Sequence, residues 1–365
     1  MSFGGFGVSA TATSASPAAA DYDVPPDVPD SIQDLSWSPT ANVLVAGSWD
    51  NYVRCWEVNH QQTQFQAVAR AQIQHKAPVL CTAFSAVRVL PWAMAAKHVL
   101  GRLDRVSGSC DKTALMWQLN GPATGQQIAQ HDQPIRGIRF VPTANCVVTG
   151  SWDKTVKYWD TRAPQAQATV QLSDRVYALD VVYPLMVVAT ADKMIHCFDL
   201  TKPSQIFASI KSNLKLQTRC IAAFPDASGF AIGSIEGRVA IQHIDEKKKQ
   251  EADFAFKAHR DTANNSVNPV SSVAFHTLNG KMATTGTDGS YTFWDKDMRK
   301  MLRNFPKIPN YQGISVGKFN AQGDIFAYAT SYDWHKGAEG YNQQARNVIR
   351  LHHVDQTDLT VKAKK

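Results

Sequence analysis

The chain has 365 residues, 44% of them apolar and 19% charged, so it can bury a large core and is not a disordered polyelectrolyte. Its formal net charge of +7 and pI near 9.0 favour acidic partners without establishing a nucleic-acid surface. No apolar run approaches the length of a membrane-spanning helix, and the N-terminus lacks the basic-then-apolar pattern of a secretory signal; an intracellular protein is expected.

Residues 1–20 are mostly Ser, Ala, Thr and Gly and read as a disordered tail. Beyond them one signature recurs, an acidic residue six positions before an aromatic that closes an apolar run. It appears at Asp50 and Trp56, Asp111 and Trp117, Asp153 and Trp159, Asp192 and Phe198, and Asp288 and Trp294. Nineteen residues ahead of four of these aromatics stands another apolar position, at Trp37, Phe140, Leu179 and Phe275. Glu236 and Gln242 keep the six-residue offset within the long gap after Phe198. Two spacings recurring together over units of short strands specify a radial array of β-sheets.

The unit is clearest at residues 135–160. Ile135, Ile138 and Phe140 mark an inner strand, Pro142 and Asn145 turn the chain, and Cys146 to Thr149 run back through the core. Ser151-Trp152-Asp153-Lys154 then turns tightly into Val156-Lys157-Tyr158-Trp159, with Asp153 short enough to accept hydrogen bonds from the N–H groups of its own turn.

Seven such units are predicted, at 31–58, 77–119, 134–161, 175–200, 219–244, 269–297 and 313–354. Seven sheets close into a ring, which removes exposed strand edges. The last unit has three visible strands, and Tyr22-Asp23-Val24, ended by Pro25 and Pro26, is expected to supply the fourth. The predicted fold is therefore all-β, a seven-bladed β-propeller over 21–354 closed by an N-terminal strand, with a basic tail at 355–365.

Two places break the repeat. Phe84 to Trp117 is about fourteen residues too long, which puts an atypical insertion at 86–105 between the first two strands of blade two. It reads either as a helical loop for a partner or as translated non-coding sequence, and the second is favoured. The other surplus, Ser331 through Tyr341, lies between the second and third strands of blade seven, on the face that usually takes ligands.

Chemistry finds little purchase. There is no phosphate-cradling Gly-rich loop, no paired His on a helix and no Gly-x-Ser-x-Gly elbow, so no catalytic residue is assigned. The six cysteines fall in strands without a C-x-x-C pair and read as reduced core thiols, so no metal site and no cofactor is expected. His352 and His353 alternate across a strand and would not chelate together. Lys247-Lys248-Lys249 and the C-terminal Lys362, Lys364 and Lys365 read as solvated charges, with salt-sensitive RNA contact as the sharper alternative.

His131, Asp153 and Trp159 of the third unit resemble the buried His, Ser or Thr, Asp and Trp network of WD-repeat propellers. By that resemblance Asp50, Asp111, Asp192 and Asp288 hold the turns of their blades, and Trp56, Trp117 and Trp294 close them. Such networks are costly unless fully satisfied, so they fix one arrangement of each blade.

Longer motifs sharpen the resemblance. They are Gly-Ser-Trp-Asp-Asn-Tyr-Val-Arg at 47–54, Gly-Ser-Trp-Asp-Lys-Thr-Val-Lys-Tyr-Trp-Asp at 150–160, Gly-Ser-Ile-Glu-Gly-Arg at 233–238, Phe-Lys-Ala-His-Arg at 256–260 and Thr-Phe-Trp-Asp-Lys-Asp at 292–297. Together they resemble the mRNA-export propeller of the nuclear pore over nearly all of 21–354. That family docks on a nucleoporin through an acidic segment called the GLEBS motif. A sister family, the mitotic-checkpoint propeller that binds GLEBS-like segments of kinases, shares the 233–238 and 256–260 elements. Phe-Ala-Tyr-Ala at 326–329 and Ser-Tyr-Asp-Trp-x-Lys-Gly at 331–337 are similar to the export family. Ala258 departs from the Cys usual there.

The resemblance implies a partner site. Arg238 at a turn, Lys257 and Arg260 on the link into blade six, and Asp295, Lys296, Arg299 and Lys300 after Trp294 would cluster across neighbouring blades to hold an acidic peptide. With Phe256 and Trp294 they could also hold single-stranded RNA by charge and stacking. Trp294 occupies the buried position of its repeat, which favours a core role over stacking.

The expected protein is a non-enzymatic mRNA export factor of the nucleus and nuclear pore that shuttles to the cytoplasm. Its expected partners are a nucleoporin carrying a GLEBS motif and mRNA-protein particles. The alternatives are a spindle-checkpoint adaptor on the same fold and a substrate receptor of a ubiquitin ligase.

Overall fold

A computed structural model describes residues 21–361 apart from 62, 87–102, 119–124, 164, 262–265, 308–311, 336 and 343. The tail predicted at 1–20 lies outside the described residues. Seven four-stranded antiparallel sheets follow one another in the order of the chain. Their first strands are Ile32–Trp37, Val79–Ala86, Ile135–Val141, Val176–Val182, Thr218–Ala223, Val270–Phe275 and Ile314–Phe319. Each packs beside the next, and the seventh packs beside the first, so the ring is closed.

Closure uses both ends of the chain. Tyr22–Val24 adds as the outermost strand of blade seven, Tyr22 opposite Leu351 and Val24 opposite Ile349. Asp21 accepts a hydrogen bond from the Tyr328 hydroxyl at 2.6 Å, and Arg350 Nε donates to Asp23 Oδ1 at 2.7 Å. The basic tail expected at 355–365 is described only as far as 361. Gln356–Asp358 forms a 3-10 turn that returns Asp358 to His352 and Arg303, and Leu359 packs into the core of the last two blades.

In every blade the second strand is buried on both faces, for instance Cys146–Ser151 and Leu185–Thr190, because neighbouring sheets cover it from either side. The outer strand alternates, as Ala166–Gln171 does, with one face on the core and one in water. In blade two the ladder runs to Ala86 and resumes at Leu103, the two being directly paired. Ala86 and Leu103 to Arg105, counted within the insertion from the spacing, are thus strand residues; 87–102 lie outside the described residues.

The blade networks are not all alike. In blade three Trp159 Nε1 donates to Thr149 Oγ1 at 2.8 Å, Thr149 Oγ1 is 2.7 Å from His131 Nε2, and His131 Nδ1 is 2.7 Å from Asp153 Oδ2. Burial alone would raise the Asp153 carboxyl, but hydrogen bonds from His131 and Thr155 hold it well below the usual carboxylate range. Blade six repeats the chain through Trp294, Thr284, His259 and Asp288.

Blade one cannot, because Ala46 stands where the hydroxyl is needed. Trp56 donates instead to the Pro25 carbonyl at 2.9 Å, and Asp50 pairs with Arg54 at 2.6 Å. In blade four Asp192 accepts from Thr190 and Met194, and Phe198 has no donor to offer. In blade two His75 joins Ser107 and Asp111, but the Trp117 indole N–H has no partner among the described residues, and Arg105 lies over its ring at 5.3 Å.

Candidate functional site

Successive turns of a propeller blade alternate between the two faces of the ring. One face carries the turns from second to third strand and the links between blades; the opposite face carries the other turns. Arg238 opens the third strand of blade five, Arg238–His243, directly after the Glu236-Gly237 turn. Its ladder partner on the outer strand, Phe254–Lys257, is Lys257. Two cations are thereby set side by side on the linking face, with Lys257 exposed.

Arg260 follows on the link and folds onto the same turn, Nη2 to the Glu236 carbonyl at 2.7 Å and Nε to that of Gly237 at 3.2 Å. Those donors are engaged by the backbone, so Arg260 braces the turn that leads into Arg238. Gly237 has φ of +60°, and a Cβ there would meet the Ala258 and Asn268 carbonyl oxygens at 3.0 Å. Glycine lets the turn approach the link this closely.

The remaining candidates divide from this group, contrary to the expected single cluster. The third strand of blade six, Tyr291–Asp295, starts at the linking face and ends at the opposite one. Lys296, Arg299 and Lys300 therefore lie about 17 Å away, the length of a short strand. Lys296 is over the Phe224 ring at 4.8 Å and pairs with Asp297 at 2.6 Å. Arg299 is over Phe254 at 4.8 Å and donates to the Glu251 carbonyl at 3.0 Å. Lys300, exposed, opens the outer strand opposite Asp295.

Asp295 is buried, bonded to Lys281, and accepts the N–H groups of Asp297 at 3.0 Å and Met298 at 2.9 Å. It shapes its own turn and faces no partner. Phe256 and Trp294 are 4% and 8% exposed, with ring centroids 4.6 Å apart inside the core between blades five and six. They are therefore packing residues and offer no stacking surface for bases. The physical reason is the same throughout: six residues of strand separate neighbours in sequence by the full height of the ring.

Lys247 to Lys249, read from sequence as solvated charges, form part of a short helix, Glu246–Ala252, on the opposite face. Asp245 caps it by accepting the Lys247 and Lys248 N–H groups at 2.9 and 3.1 Å. Among the described residues no group of three His, Cys, Asp or Glu side chains could hold a metal ion, and all six cysteines are free thiols.

The linking face also carries aromatic side chains, some of them in the surplus Ser331 through Tyr341 that the spacing marks. Trp334, in the long blade-seven loop, is stacked on Tyr341 with centroids 5.3 Å apart and an interplanar angle of 10°. Tyr332 beside it is buried and donates to the Gly337 carbonyl at 2.8 Å. Trp49 and Trp152 occupy the same place in two Gly-Ser-Trp-Asp turns, a repeated aromatic on a turn that was legible as a surface signal.

The closed ring of seven sheets with a paired cationic edge defines a propeller scaffold of the interaction type. The model for the WD domain, G-beta repeat, matches residues 28–57 and 124–160. The chain is 43% identical over 350 residues to the "Poly(A)+ RNA export protein" of Schizosaccharomyces pombe, covering 94% of each. It is 43% identical over 370 residues to the "mRNA export factor" of Xenopus tropicalis, covering 95% of each, and 43% identical over 358 residues to "Protein RAE1" of Arabidopsis thaliana, covering 98% of this chain and 97% of the other. The chain belongs to the WD-repeat family of mRNA export factors.

Proposed function

We propose that this protein is a non-enzymatic mRNA export factor that captures an acidic segment, of the GLEBS type carried by a nucleoporin, on the linking face of blade five. In this reading it works in the nucleus and at the nuclear pore, and through that contact helps carry mRNA-protein particles to the cytoplasm. The names of its relatives support the export role. The observation that carries the site is the cross-strand pairing of Arg238 with Lys257. A guanidinium fork and a neighbouring ammonium match a carboxylate-rich strand, and the Arg260 brace preorganises the turn that presents them. Any contact with RNA in this reading is electrostatic rather than stacking at blade five, since the aromatic rings there are in the core.

The test is binding of a fluorescent acidic peptide to the full chain, measured by polarisation in low and high salt. Arg238→Glu should abolish capture while leaving the melting temperature nearly unchanged. Capture by Arg238→Glu at the wild-type level would remove the site assignment.

A further inference from the structure

The ring closes where blade one meets blade seven, and two imidazoles from those blades face each other there. His60 stands near the far end of the third strand of blade one, Tyr52–Gln61, and His353 ends the third strand of blade seven, Val348–His353. Third strands end on the face opposite the Arg238 edge, so this pair is separate from the proposed peptide site. His60 Nε2 lies 3.3 Å from His353 Nδ1, a contact between residues 293 apart in the chain.

The surroundings orient both rings. Phe65, the ladder partner of His60, stacks on its ring with centroids 5.3 Å apart and an interplanar angle of 19°. The outer nitrogen of each imidazole has a carboxylate beside it: His60 Nδ1 is 3.7 Å from Asp324 Oδ2, and His353 Nε2 is 3.2 Å from Asp355 Oδ1. Asn320 Nδ2 donates to the other oxygen of Asp324 at 2.7 Å, and the Val354 N–H donates to the Asp324 carbonyl at 2.9 Å. Asp324 is thereby held against the strand that His353 ends.

A carboxylate favours the histidine tautomer whose N–H faces it. With a proton on each outer nitrogen, both inner nitrogens present lone pairs, and these repel across 3.3 Å unless a cation lies between them. The spacing sets the kind of cation. Two nitrogens bound at about 2.05 Å to a tetrahedral ion are about 3.3 Å apart, which is the separation found. Carboxylates behind metal-bound histidines fix the tautomer and raise the basicity of the ligand, and Asp324 and Asp355 stand in that place. The side chains of His60 and His353 are 12% and 24% exposed, so neither is sealed from solvent.

We infer that His60 Nε2 and His353 Nδ1 together bind a divalent transition-metal cation, Zn²⁺ or Cu²⁺, across the joint between the first and last blades. Imidazole suits these ions, whereas Mg²⁺ and Ca²⁺ take oxygen ligands. No third His, Cys, Asp or Glu among the described residues completes the set, so water fills the remaining positions and the ion is exchangeable. Because its two ligands come together only in the closed ring, the ion stabilises the folded chain by mass action. A proton shared by the two nitrogens is the competing occupant, and the experiment separates the two.

The experiment is titration of the full chain, free of any histidine tag, with ZnSO₄, CuSO₄ and MgSO₄, followed by calorimetry, thermal melting and, for Cu²⁺, electron paramagnetic resonance. Zn²⁺ and Cu²⁺ should each saturate and raise the melting temperature, with Cu²⁺ the tighter, and Mg²⁺ should do neither. The Cu²⁺ spectrum should show imidazole nitrogen from both rings. His353→Gln should abolish saturation by Zn²⁺ together with the melting shift. His60→Gln, near the tip of its hairpin, is the second variant and should do the same. Asp355→Asn keeps both ligands and should weaken Zn²⁺ by about tenfold, while Arg238→Glu should bind it normally. No saturation by either transition metal would leave the pair to a shared proton and overturn the inference. A copper spectrum without imidazole nitrogen, or wild-type Zn²⁺ affinity in both histidine variants, would overturn it as well.

Discussion

His352 Nδ1 lies 2.8 Å from Asp21 Oδ1, a contact between residues 331 apart that fastens the two ends of the ring. On its other side His352 Nε2 is 3.1 Å from Asp358 Oδ2. Burial disfavours the imidazolium, yet the hydrogen bonds to Asp21 and Asp358 raise its pKa to about 9. Both carboxyls are held below their usual range against the pull of burial, with His352 the chief cause in each.

A group whose pKa is higher in the folded state stabilises most fully below its unfolded value, 6.5 for histidine, and that contribution disappears as pH rises through about 9. The two carboxyls act in the opposite sense, stabilising above 3.8 and losing this as pH falls through their lowered folded values. The clasp is therefore strongest between these limits. His352→Gln should cost about 3 kcal/mol at pH 6 and much less at pH 10, read from urea melts of both proteins across pH. Parallel curves for the two proteins would show that the clasp carries no linked proton.

Thr149 joins His131 and Trp159 in the buried chain of blade three. Thr149→Val keeps the shape and strands both partners, with an expected loss of about 2–4 kcal/mol in denaturant unfolding. Thr149→Ser should recover most of it, because the hydroxyl is what the network uses.

The separation of the cations by faces is directly testable. Lys257→Glu should weaken capture of the acidic peptide by about tenfold, whereas Lys296→Glu, on the opposite face, should leave it unchanged. Equal losses in the two variants would mean that the peptide wraps the rim between blades five and six.

Gly237 adopts a left-handed conformation against two carbonyl oxygens. Gly237→Ala should lower stability by about 1 kcal/mol or more and also loosen the turn that Arg260 braces, so peptide affinity and melting temperature should fall together. A drop in affinity alone would assign the glycine to the partner contact instead of to the turn.

Much of the fold was legible because its rules are local. An acidic residue six places before an aromatic is a turn followed by a strand, and Asp153 and Trp159 stand in that relation inside one hairpin. Blade one shows the limit of the pattern, since Asp50 and Trp56 keep the spacing while their hydrogen bonds go to Arg54 and Pro25. The spacing specifies the strand; the network also needs the His and the hydroxyl, and in blade two Ser107 bonds His75 while the Trp117 indole stays without a partner among the described residues.

The candidate site was less legible. Arg238 and Lys257 could be placed together because they end neighbouring strands of one blade, but Lys296 is only two residues beyond Trp294 and belongs to the other face. Asp295 carries a charge that the sequence offers to a partner, and the fold uses it on Lys281 and its own turn.

By itself the sequence determined the repeat, the number of sheets and the strand that closes the last one, because turn chemistry and alternation act over a few residues. Only the tertiary structure decided which face each charge occupies and which aromatics are core. Those relationships depend on strand height and on the curvature of the whole ring, which set distances between residues that no local pattern connects.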